Sequence, residues 1–597
     1  MALEEGNLST RRQASVPALE KELASLRAMV AALAARVDSL EARLAGGYDQ
    51  TPTEDWPQEF VEELEARKAS RQSLLPRVAT VCFLLVLALI LRTVTDNNIV
   101  PVRLGSFIGL GYALALVLAG WVLYARGSRL AAVFPVCGML LLLAVVLEVH
   151  SRFAMLPTLW AHLLLLQALL VVSVVGLRFR AQALLLIGTL GSGFVSLGLD
   201  FPDPLFPSVG LVLVTGVVLA SLAEIRGISR LLRWAVLFLV LMYWLLWVMK
   251  LQVPLGRGLT MPAALYATWF FPVLAMFFLV YLGTAFWRIR GKADGPGVFD
   301  SVLPLMNGLW ASAAALGVAP GLWSRQAAGL AVVAAALLHL AISSLLARGK
   351  RPGGPGTNAF ALTGAVLLAL GLPFVVGWIG WALVGWWGCS ILLLHFSARW
   401  QSGGVRLTSY CQQLFCCAAA VTSGALAVGE NGLVTQLSLA AFLSGGALWQ
   451  FRWCRANTPP HAGSVFYSFV DRQDRSAVVL LLVFLVLVFA GLRLILHSCL
   501  AGFPGDPVNG FRCGQTILIN LGSLALLIAG WRQRNLEIAA VSIGVALLGA
   551  GKVFFYDLFT ANGLALVLSV FSFGVLAAVG SSVSGRWQQE CMKASDV

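Results

Sequence analysis

Long apolar stretches dominate this sequence and constrain its fold more than any other feature. From Val78 onward, stretches of roughly 17–25 apolar residues alternate with short polar breaks, and each stretch is long enough to cross a bilayer as a helix. We count about eighteen such stretches. Their centres lie near residues 86, 114, 140, 167, 190, 214, 241, 274, 308, 337, 367, 388, 418, 441, 486, 523, 547 and 572. The sequence therefore predicts an all-α, polytopic transmembrane helix bundle, with the lipid bilayer as its main partner.

The composition excludes the water-soluble classes of protein. Hydrophobic residues make up 59% of the 597 residues and charged residues only 12%, and the mean hydropathy is +0.84. Soluble globular chains carry about 25% charged residues, so this chain lacks the polar side chains for a soluble surface of its size. The net charge of +14 is spread over many breaks, which is typical of a polytopic protein rather than one that binds nucleic acid. We expect no nucleic-acid partner.

Basic residues alternate between the polar breaks and predict the orientation of the chain. One set of breaks contains roughly three times as many Lys and Arg residues as the other, and this set includes Arg233, Arg288 and Arg406. Because basic loops tend to stay in the cytoplasm, we expect this set on the cytoplasmic side. An even number of spans then places both termini in the cytoplasm.

A heptad pattern precedes the first span. Its apolar residues are spaced alternately four and three apart, as a left-handed coiled coil requires. Leucine at every d position and valine at the central a positions favour a parallel dimer. The predicted core consists of Leu19, Leu23, Leu26, Val30, Leu33, Val37, Leu40 and Leu44. The alternative is one amphipathic helix on the protein's own surface. We prefer the coiled coil, and so expect a homodimer or a coiled-coil partner.

These features divide the chain into five segments. The membrane domain covers most of the length, and the polar, helix-rich segments precede it. The predicted segments are a disordered N-terminus (1–16), the coiled coil (17–44), a linker with an interfacial helix (45–76), the polytopic membrane domain (77–585) and a cytoplasmic tail (586–597).

Two stretches of the membrane domain resemble a known family. The first is residues 84–131, and the second is residues 536–588, which contains the element KVFFYDL at 552–558. With the order of coiled coil, linker and many spans, they resemble the bacterial polytopic membrane proteins catalogued as domain of unknown function 2339, whose signature is Lys-Val-Phe-x-x-Asp-Leu. The resemblance implies a bacterial inner-membrane location and brings no activity, because the family has no established one. The chain departs from the family after this element, where it has Asn562 and Gly563 in place of the usual Arg.

Ionisable residues inside spans are the main candidates for a functional site, because charge is costly in lipid. Lys552 and Asp557 are the best pair. They are five residues apart, so we expect them on different faces of an α-helix and not ideally paired within it. Both lie near the predicted outer end of their span, where the lysine can extend to the interface. The two interpretations are a tether to a neighbouring helix and a substrate or proton site, and we favour the tether.

A second polar group is predicted at the outer ends of the third and fourth spans. Glu148 and His150 close the third span, and His162 and Gln167 lie early in the fourth. Because the break between them is short, the two helices should be neighbours. The group is either an interfacial cluster or a functional site, and the interfacial cluster is the simpler interpretation.

Cys499 and Cys513 bracket the longest external break. On the predicted topology this loop faces the oxidising side, where disulfides persist, so one disulfide and two free thiols are both compatible with the sequence. No His or Cys spacing matches a metal site, and no phosphate-binding glycine loop or nucleophile elbow is present. The sequence therefore predicts neither a metal nor a cofactor.

Three functions are compatible with these features. The first is a non-enzymatic, membrane-embedded organiser of envelope assembly, indicated by the coiled coil and the scarcity of intramembrane charge. The second is a transporter or flippase of a lipid-like or small amphipathic molecule, indicated by the many spans and glycine-interrupted helices, although few residues are available to line a polar path. The third is a lipid-linked glycosyltransferase, which would need acidic residues on sizeable external loops, and the external breaks here are short.

Overall fold

A computed structural model gives the fold of the membrane domain. The chain divides between Ala79 and Thr80, and the fold described below belongs to the second unit. The coiled-coil segment 17–44 and the linker 45–76 lie outside the described residues. The structure describes residues 79–81, 83–84, 86–87, 89–90, 93 and 100–595, without 129, 260–261, 292–296, 350–352, 428–431, 462–463, 465 and 502–506.

The described residues are mainly helical and include no β-strand. In lipid, apolar stretches this long form helices, because each backbone N–H and C=O group must find a hydrogen-bond partner within its own segment. The helices are α1 (Val102–Ala125), α2 (Val133–Ser151), α3 (Thr158–Arg178), α4 (Gln182–Gly198), α5 (Phe206–Ile225), α6 (Leu231–Gly256), α7 (Phe270–Gly291), α8 (Val298–Leu322), α9 (Arg325–Ala347), α10 (Pro355–Val375), α11 (Ile379–Arg399), α12 (Gly403–Thr422), α13 (Leu433–Ala456), α14 (Val478–Leu500), α15 (Pro507–Gln533), α16 (Leu536–Lys552) and α17 (Gly563–Ser595).

Short helical turns connect some of these helices. A π-helical turn at Val553–Asp557 and one further turn at Leu558–Thr560 continue α16. A second π-helical turn at Phe466–Val470 lies between α13 and α14. The final helix, α17, continues to Ser595, beyond the predicted end of the membrane domain at residue 585.

Fourteen helical segments of the described chain are long and apolar enough to cross a membrane. They account for all but four of the predicted spans. The span near residue 86 is described only in part, and the span near 190 corresponds to α4, an apolar helix of 17 residues. The spans near 418 and 441 correspond to α12 and α13, which are of spanning length but are not among the fourteen. The count of about eighteen stays a prediction.

Contacts between connecting segments show how successive hairpins alternate. At one end, Arg233 at the start of α6 pairs with Asp300 at the start of α8, with 2.7 Å between Nη1 and Oδ1. At the opposite end, Lys250 late in α6 pairs with Asp203, which follows α4, with 2.9 Å between Nζ and Oδ1. Connections in this part of the bundle therefore alternate between its two ends. Which end faces the cytoplasm stays a prediction from the basic residues.

The largest core cluster lies between α5, α6, α7 and α8 and contains many aromatic residues. The ring of Trp247 stacks on Phe206 with 5.0 Å between centroids. Between α9 and α10, glycine permits close backbone contact, because a Cβ atom at Gly371 would lie 3.1 Å from the carbonyl oxygen of Gly329. Lipid gives helices no hydrophobic reason to associate, so close packing of this kind holds the bundle together.

Candidate functional site

Lys552 and Asp557 form an ion pair within a single helical turn. Lys552 Nζ lies 2.8 Å from Asp557 Oδ1. The intervening residues Val553–Asp557 form a π-helical turn, in which hydrogen bonds join residues five apart, so positions i and i+5 face the same side. The expectation that these two side chains lie on different faces is therefore wrong, because it assumed regular α-helical spacing.

Both charges of this pair are also bound by neighbouring helices. The Asp557 carboxylate is fully buried and accepts hydrogen bonds from Thr516 Oγ1 on α15 at 2.5 Å and from Ser569 Oγ on α17 at 2.7 Å. Lys552 Nζ donates to Thr516 Oγ1 at 2.6 Å and to the carbonyl oxygen of Arg512 at 2.8 Å. The pair therefore joins α15, α16 and α17 at one point, and we call it the KD tether (Lys552, Asp557, Thr516 and Ser569).

A polar face of α15 extends the KD tether along the span. Thr516, Asn520 and Ser523 follow the i, i+4, i+7 spacing of one helix face. Asn520 Nδ2 donates to Ser572 Oγ at 2.8 Å, and Ser523 Oγ donates to the carbonyl oxygen of Ser542 at 2.9 Å. This face was not predicted, although the spacing of three polar residues within an apolar span is a signal in the sequence.

The predicted polar group at the ends of α2 and α3 centres on Asp200, which the sequence analysis left out of the group. His150 Nε2 lies 2.8 Å from Asp200 Oδ1. His162 is buried beside it, and its Nε2 lies 3.3 Å from the backbone carbonyl of Ser196 on α4. Glu148 pairs instead with Arg152, which directly follows the end of α2. The structure thus brings the two histidines to one region and gives the glutamate its own partner.

A buried quartet of charges joins four helices at the other end of the bundle. Arg233 Nη1 lies 2.6 Å from Glu224 Oε2 and 2.7 Å from Asp300 Oδ1. Arg288 completes the quartet, with Nη2 2.7 Å from Glu224 Oε1 and Nε 3.0 Å from Asp300 Oδ1. From the sequence, the two arginines were predicted only as basic residues of cytoplasmic breaks. The quartet connects α5, α6, α7 and α8, so the arginines act as structural ties.

Arg406 is the most deeply buried arginine of the described chain, and it holds the segment between α13 and α14. Its guanidinium pairs with the Asp474 carboxylate and donates to the carbonyl oxygens of Asn457 at 3.0 Å and Thr458 at 3.2 Å. Tyr410 Oη donates to the same Asp474 carboxylate at 2.8 Å. This segment is therefore anchored to α12 by one buried ion pair, which sequence spacing could not reveal because its members are 68 residues apart.

Asp471 stabilises the start of the helix that follows this segment. Its Oδ1 accepts a hydrogen bond from the backbone N–H of Arg475 at 2.6 Å, and its Oδ2 accepts one from the backbone N–H of Ser476 at 2.7 Å. Burial alone would raise the pKa of Asp471, but these hydrogen bonds outweigh the burial and lower the pKa below its usual range. The carboxylate is the form that holds the turn.

Buried amides occur inside α12 and α13, where they place polar groups within helices of bilayer-spanning length. Gln413 is fully buried, and neither atom of its amide contacts a protein hydrogen-bond partner. Gln450 Nε2 donates to Ser390 Oγ on α11 at 2.9 Å, whereas its Oε1 has no protein partner. These two glutamines are further polar groups within the bundle that the sequence pattern did not predict.

The remaining predicted site residues are the cysteines. Cys499 is exposed at the end of α14, Cys513 is buried in α15, and both are free thiols in this structure. The disulfide stays a prediction. The predicted coiled-coil core lies outside the described residues. In the described part of the chain, no three His, Cys, Asp or Glu side chains come together in a set that could hold a metal ion.

The fold and these ties define the class of the protein. Fourteen segments of membrane-spanning length and apolar composition, joined by ion pairs that are buried away from the surroundings, describe an integral, multi-pass helical membrane protein. Comparison of the chain with protein-family models, with curated proteins and with solved structures finds no match.

Proposed function

We propose that this chain is a non-enzymatic, membrane-embedded organiser of the bacterial envelope. Its helix bundle forms a rigid platform in the inner membrane, and its coiled coil at residues 17–44 dimerises or recruits a partner on the cytoplasmic side. The resemblance of the 552–558 element to a family signature supports the same location. The proposal rests on one observation: the buried charged side chains described above are paired, and their contacts join neighbouring helices.

The geometry of these charges favours a static role. In a transporter, an intramembrane charge must exchange partners as the ion or substrate moves. Asp557 instead has an ammonium and two hydroxyl donors at 2.5–2.8 Å, and the quartet around Arg233 and Arg288 matches two guanidinium groups with two carboxylates. Separating either set would leave a buried charge without a partner, which costs several kcal/mol. Such contacts keep the helices in one arrangement.

The coiled-coil part of the proposal is tested on the full-length protein in detergent. Leu26→Glu with Leu33→Glu places charge in the predicted core, and we expect the protein mass measured by light scattering to fall by half. The matched control is Ala28→Glu with Ala35→Glu, which adds the same charge on the opposite face of the heptad and should leave the mass unchanged. If core and control variants have the same mass, the dimer is not formed by this segment.

Partner recruitment is tested by deleting 17–44 and comparing the proteins that co-purify with the deleted and the complete chain. We expect the deletion to remove the partners while the thermal unfolding of the membrane domain stays the same. Unchanged partners together with an unchanged mass would contradict the proposal.

A transporter or flippase of an amphipathic molecule is the second candidate. The buried amides of Gln413 and Gln450 favour it, because they are polar groups within the bundle that are not fully used by protein contacts. The test is the translocation of a fluorescent phospholipid in proteoliposomes, with Gln413→Leu compared against the unmodified protein. Translocation that needs the glutamine would replace the organiser with a transporter.

A lipid-linked glycosyltransferase has less support. Asp200, Asp203 and Asp557 are three of the carboxylates that it would use, and each is paired with a basic side chain: His150, Lys250 and Lys552, respectively.

A further inference from the structure

A pocket of about 380 Å³ lies where the end of α14 meets the start of α15. Leu500, Pro507 and Val508 give it apolar walls, and His497 and Arg512 give it polar ones. Phe511 forms a further part of the lining, and the imidazole of His497 meets its ring edge-on at 5.4 Å between centroids. The pocket therefore combines apolar and cationic surfaces around one aromatic ring.

One guanidinium group lies over this ring, and a second belongs to the lining of the pocket. Arg493 is exposed one helical turn before His497 on α14, and its guanidinium carbon lies 5.4 Å from the Phe511 ring centroid. Arg512 follows Phe511 on α15, and its Nη1 lies 3.5 Å from the carbonyl oxygen of Thr560. Guanidinium groups are planar, carry several N–H donors and bind phosphate oxygens in pairs. Arg512 and His497 line the pocket, and Arg493 lies over the Phe511 ring that also lines it, so the basic side chains around this ring suit a phosphate group.

Among the described residues, the side chains around this pocket carry a positive net charge. The carboxylate of the adjoining turn, Asp557, is already neutralised by Lys552. Asp506, on the connection between α14 and α15, lies outside the described residues. The positive side chains of Arg493 and Arg512 are thus not offset by a described carboxylate in contact with them, and an anion is the complementary ligand.

The position of the pocket along the helices indicates a lipid rather than a soluble anion. The 23 residues of α14 correspond to a length of ~35 Å, slightly more than the ~30 Å hydrocarbon core of a bilayer. The pocket lies at the end of this helix, at the level of phospholipid headgroups. One of its apolar walls, Val508, is itself 54% exposed, so an acyl chain can lie beside the pocket.

We propose that this pocket binds the phosphate-bearing headgroup of an anionic phospholipid, with Arg493 and Arg512 as phosphate ligands and Phe511 as the ring on which Arg493 rests. Headgroups line both surfaces of a bilayer, so the site does not depend on which end of the bundle is cytoplasmic. It also does not depend on the coiled coil or on the organiser function, so either proposal can fail without the other.

The test uses the full-length protein in nanodiscs with equal amounts of phosphatidylglycerol and phosphatidylcholine. Native mass spectrometry counts the lipids that stay bound after release, and we expect phosphatidylglycerol to be retained preferentially. Arg493→Gln with Arg512→Gln should lower the retention about tenfold, the effect of losing about 1.4 kcal/mol of charge-assisted hydrogen bonding. The matched control is Arg257→Gln with Arg325→Gln, which removes two exposed arginines at other helix ends and should retain the lipid normally.

Further variants and measurements distinguish a lipid phosphate from free phosphate and check that each variant is folded. Arg493→Lys keeps the charge but loses the planar donor group, so retention should be intermediate. Displacement of phosphatidylglycerol by millimolar inorganic phosphate would overturn the lipid assignment in favour of free phosphate. Equal retention by the paired variant and the control, or equal retention of both lipids by the unmodified protein, would overturn the site. A thermal unfolding curve for each variant confirms that the bundle is intact.

Discussion

Removing one member of the Lys552–Asp557 pair should destabilise the bundle unequally, depending on which charge remains. Lys552→Ala leaves a carboxylate with no exposure, and Asp557→Ala leaves an ammonium whose side chain is 20% exposed. The carboxylate left by Lys552→Ala is the more costly of the two charges, because it has lost its counter-ion and has no access to water. The lysine can extend to the interface, and its contact with the Arg512 carbonyl at 2.8 Å remains.

The magnitudes follow from this asymmetry. Lys552→Ala should lower the free energy of unfolding by about 3–5 kcal/mol, the usual cost of breaking a buried pair. Asp557→Ala should cost about 2 kcal/mol, below that range, because the remaining ammonium is partly solvated. The double change Lys552→Met with Asp557→Leu removes both charges and should lie within about 1 kcal/mol of the unmodified protein. The hydroxyls of Thr516 and Ser569 can then bond to carbonyls of their own helices.

The assay is SDS titration of the protein in mixed micelles, with tryptophan fluorescence as the signal. The double-mutant cycle uses Lys552→Met and Asp557→Leu as its single variants, so that they match the double change. The coupling energy should be large, because each single variant leaves a charge that the double variant does not. Additive effects of the two single changes, or a smaller loss for Lys552→Ala than for Asp557→Ala, would refute the idea that the pair is a buried tether.

Three further changes test other parts of the structure. Deleting Phe555, which is 84% exposed, should convert the π-helical turn to an α-helical one. Lys552 then still meets the aspartate, and we expect a cost in unfolding free energy within about 1 kcal/mol. The control is the deletion of Leu547, which rotates the lysine away from α15 and should cost more in the same SDS titration. Asp300→Asn should cost about 3–5 kcal/mol by leaving two buried guanidinium groups with one carboxylate, whereas Asp203→Asn at an exposed pair should cost about 0–1 kcal/mol. Asp471→Asn should cost about 1 kcal/mol and make residues 457–477 more sensitive to limited proteolysis. The pKa of Asp471 is lowered on folding. Its contribution to stability is therefore present above the ordinary carboxyl pKa and is lost as the pH falls through the lowered pKa. The unmodified protein should become equally sensitive to proteolysis only in acid.

The ion-pair ties suggest how a chain this apolar reaches one arrangement. Apolar side chains pack against lipid nearly as well as against each other, so they specify helix partners weakly. A buried pair such as Arg406 and Asp474 can be satisfied in one register only, because any slip leaves both charges in an apolar surrounding. We therefore expect the ties to specify which helices meet, while glycine and aromatic contacts specify how closely they meet.

The sequence alone determined that the membrane domain is a helix bundle. Apolar stretches of spanning length leave the chain no alternative in lipid, since only a helix satisfies its backbone hydrogen bonds within one segment. Composition and stretch length are local properties, and they therefore predicted the positions of the helices well. They also identified Lys552 and Asp557 as the ionisable residues worth attention, because charge within a span is rare.

The partners of those residues were decided only by tertiary structure. Asp474 and Arg406 are distant in sequence, and nothing in their spacing connects them. Lys552 and Asp557 were expected on different faces, because a π-helical turn cannot be distinguished from an α-helical one by the apolar pattern. The reason is physical: the hydrophobicity of a segment depends on its own side chains, whereas a hydrogen bond depends on angles and distances between segments that are known only once the helices have packed.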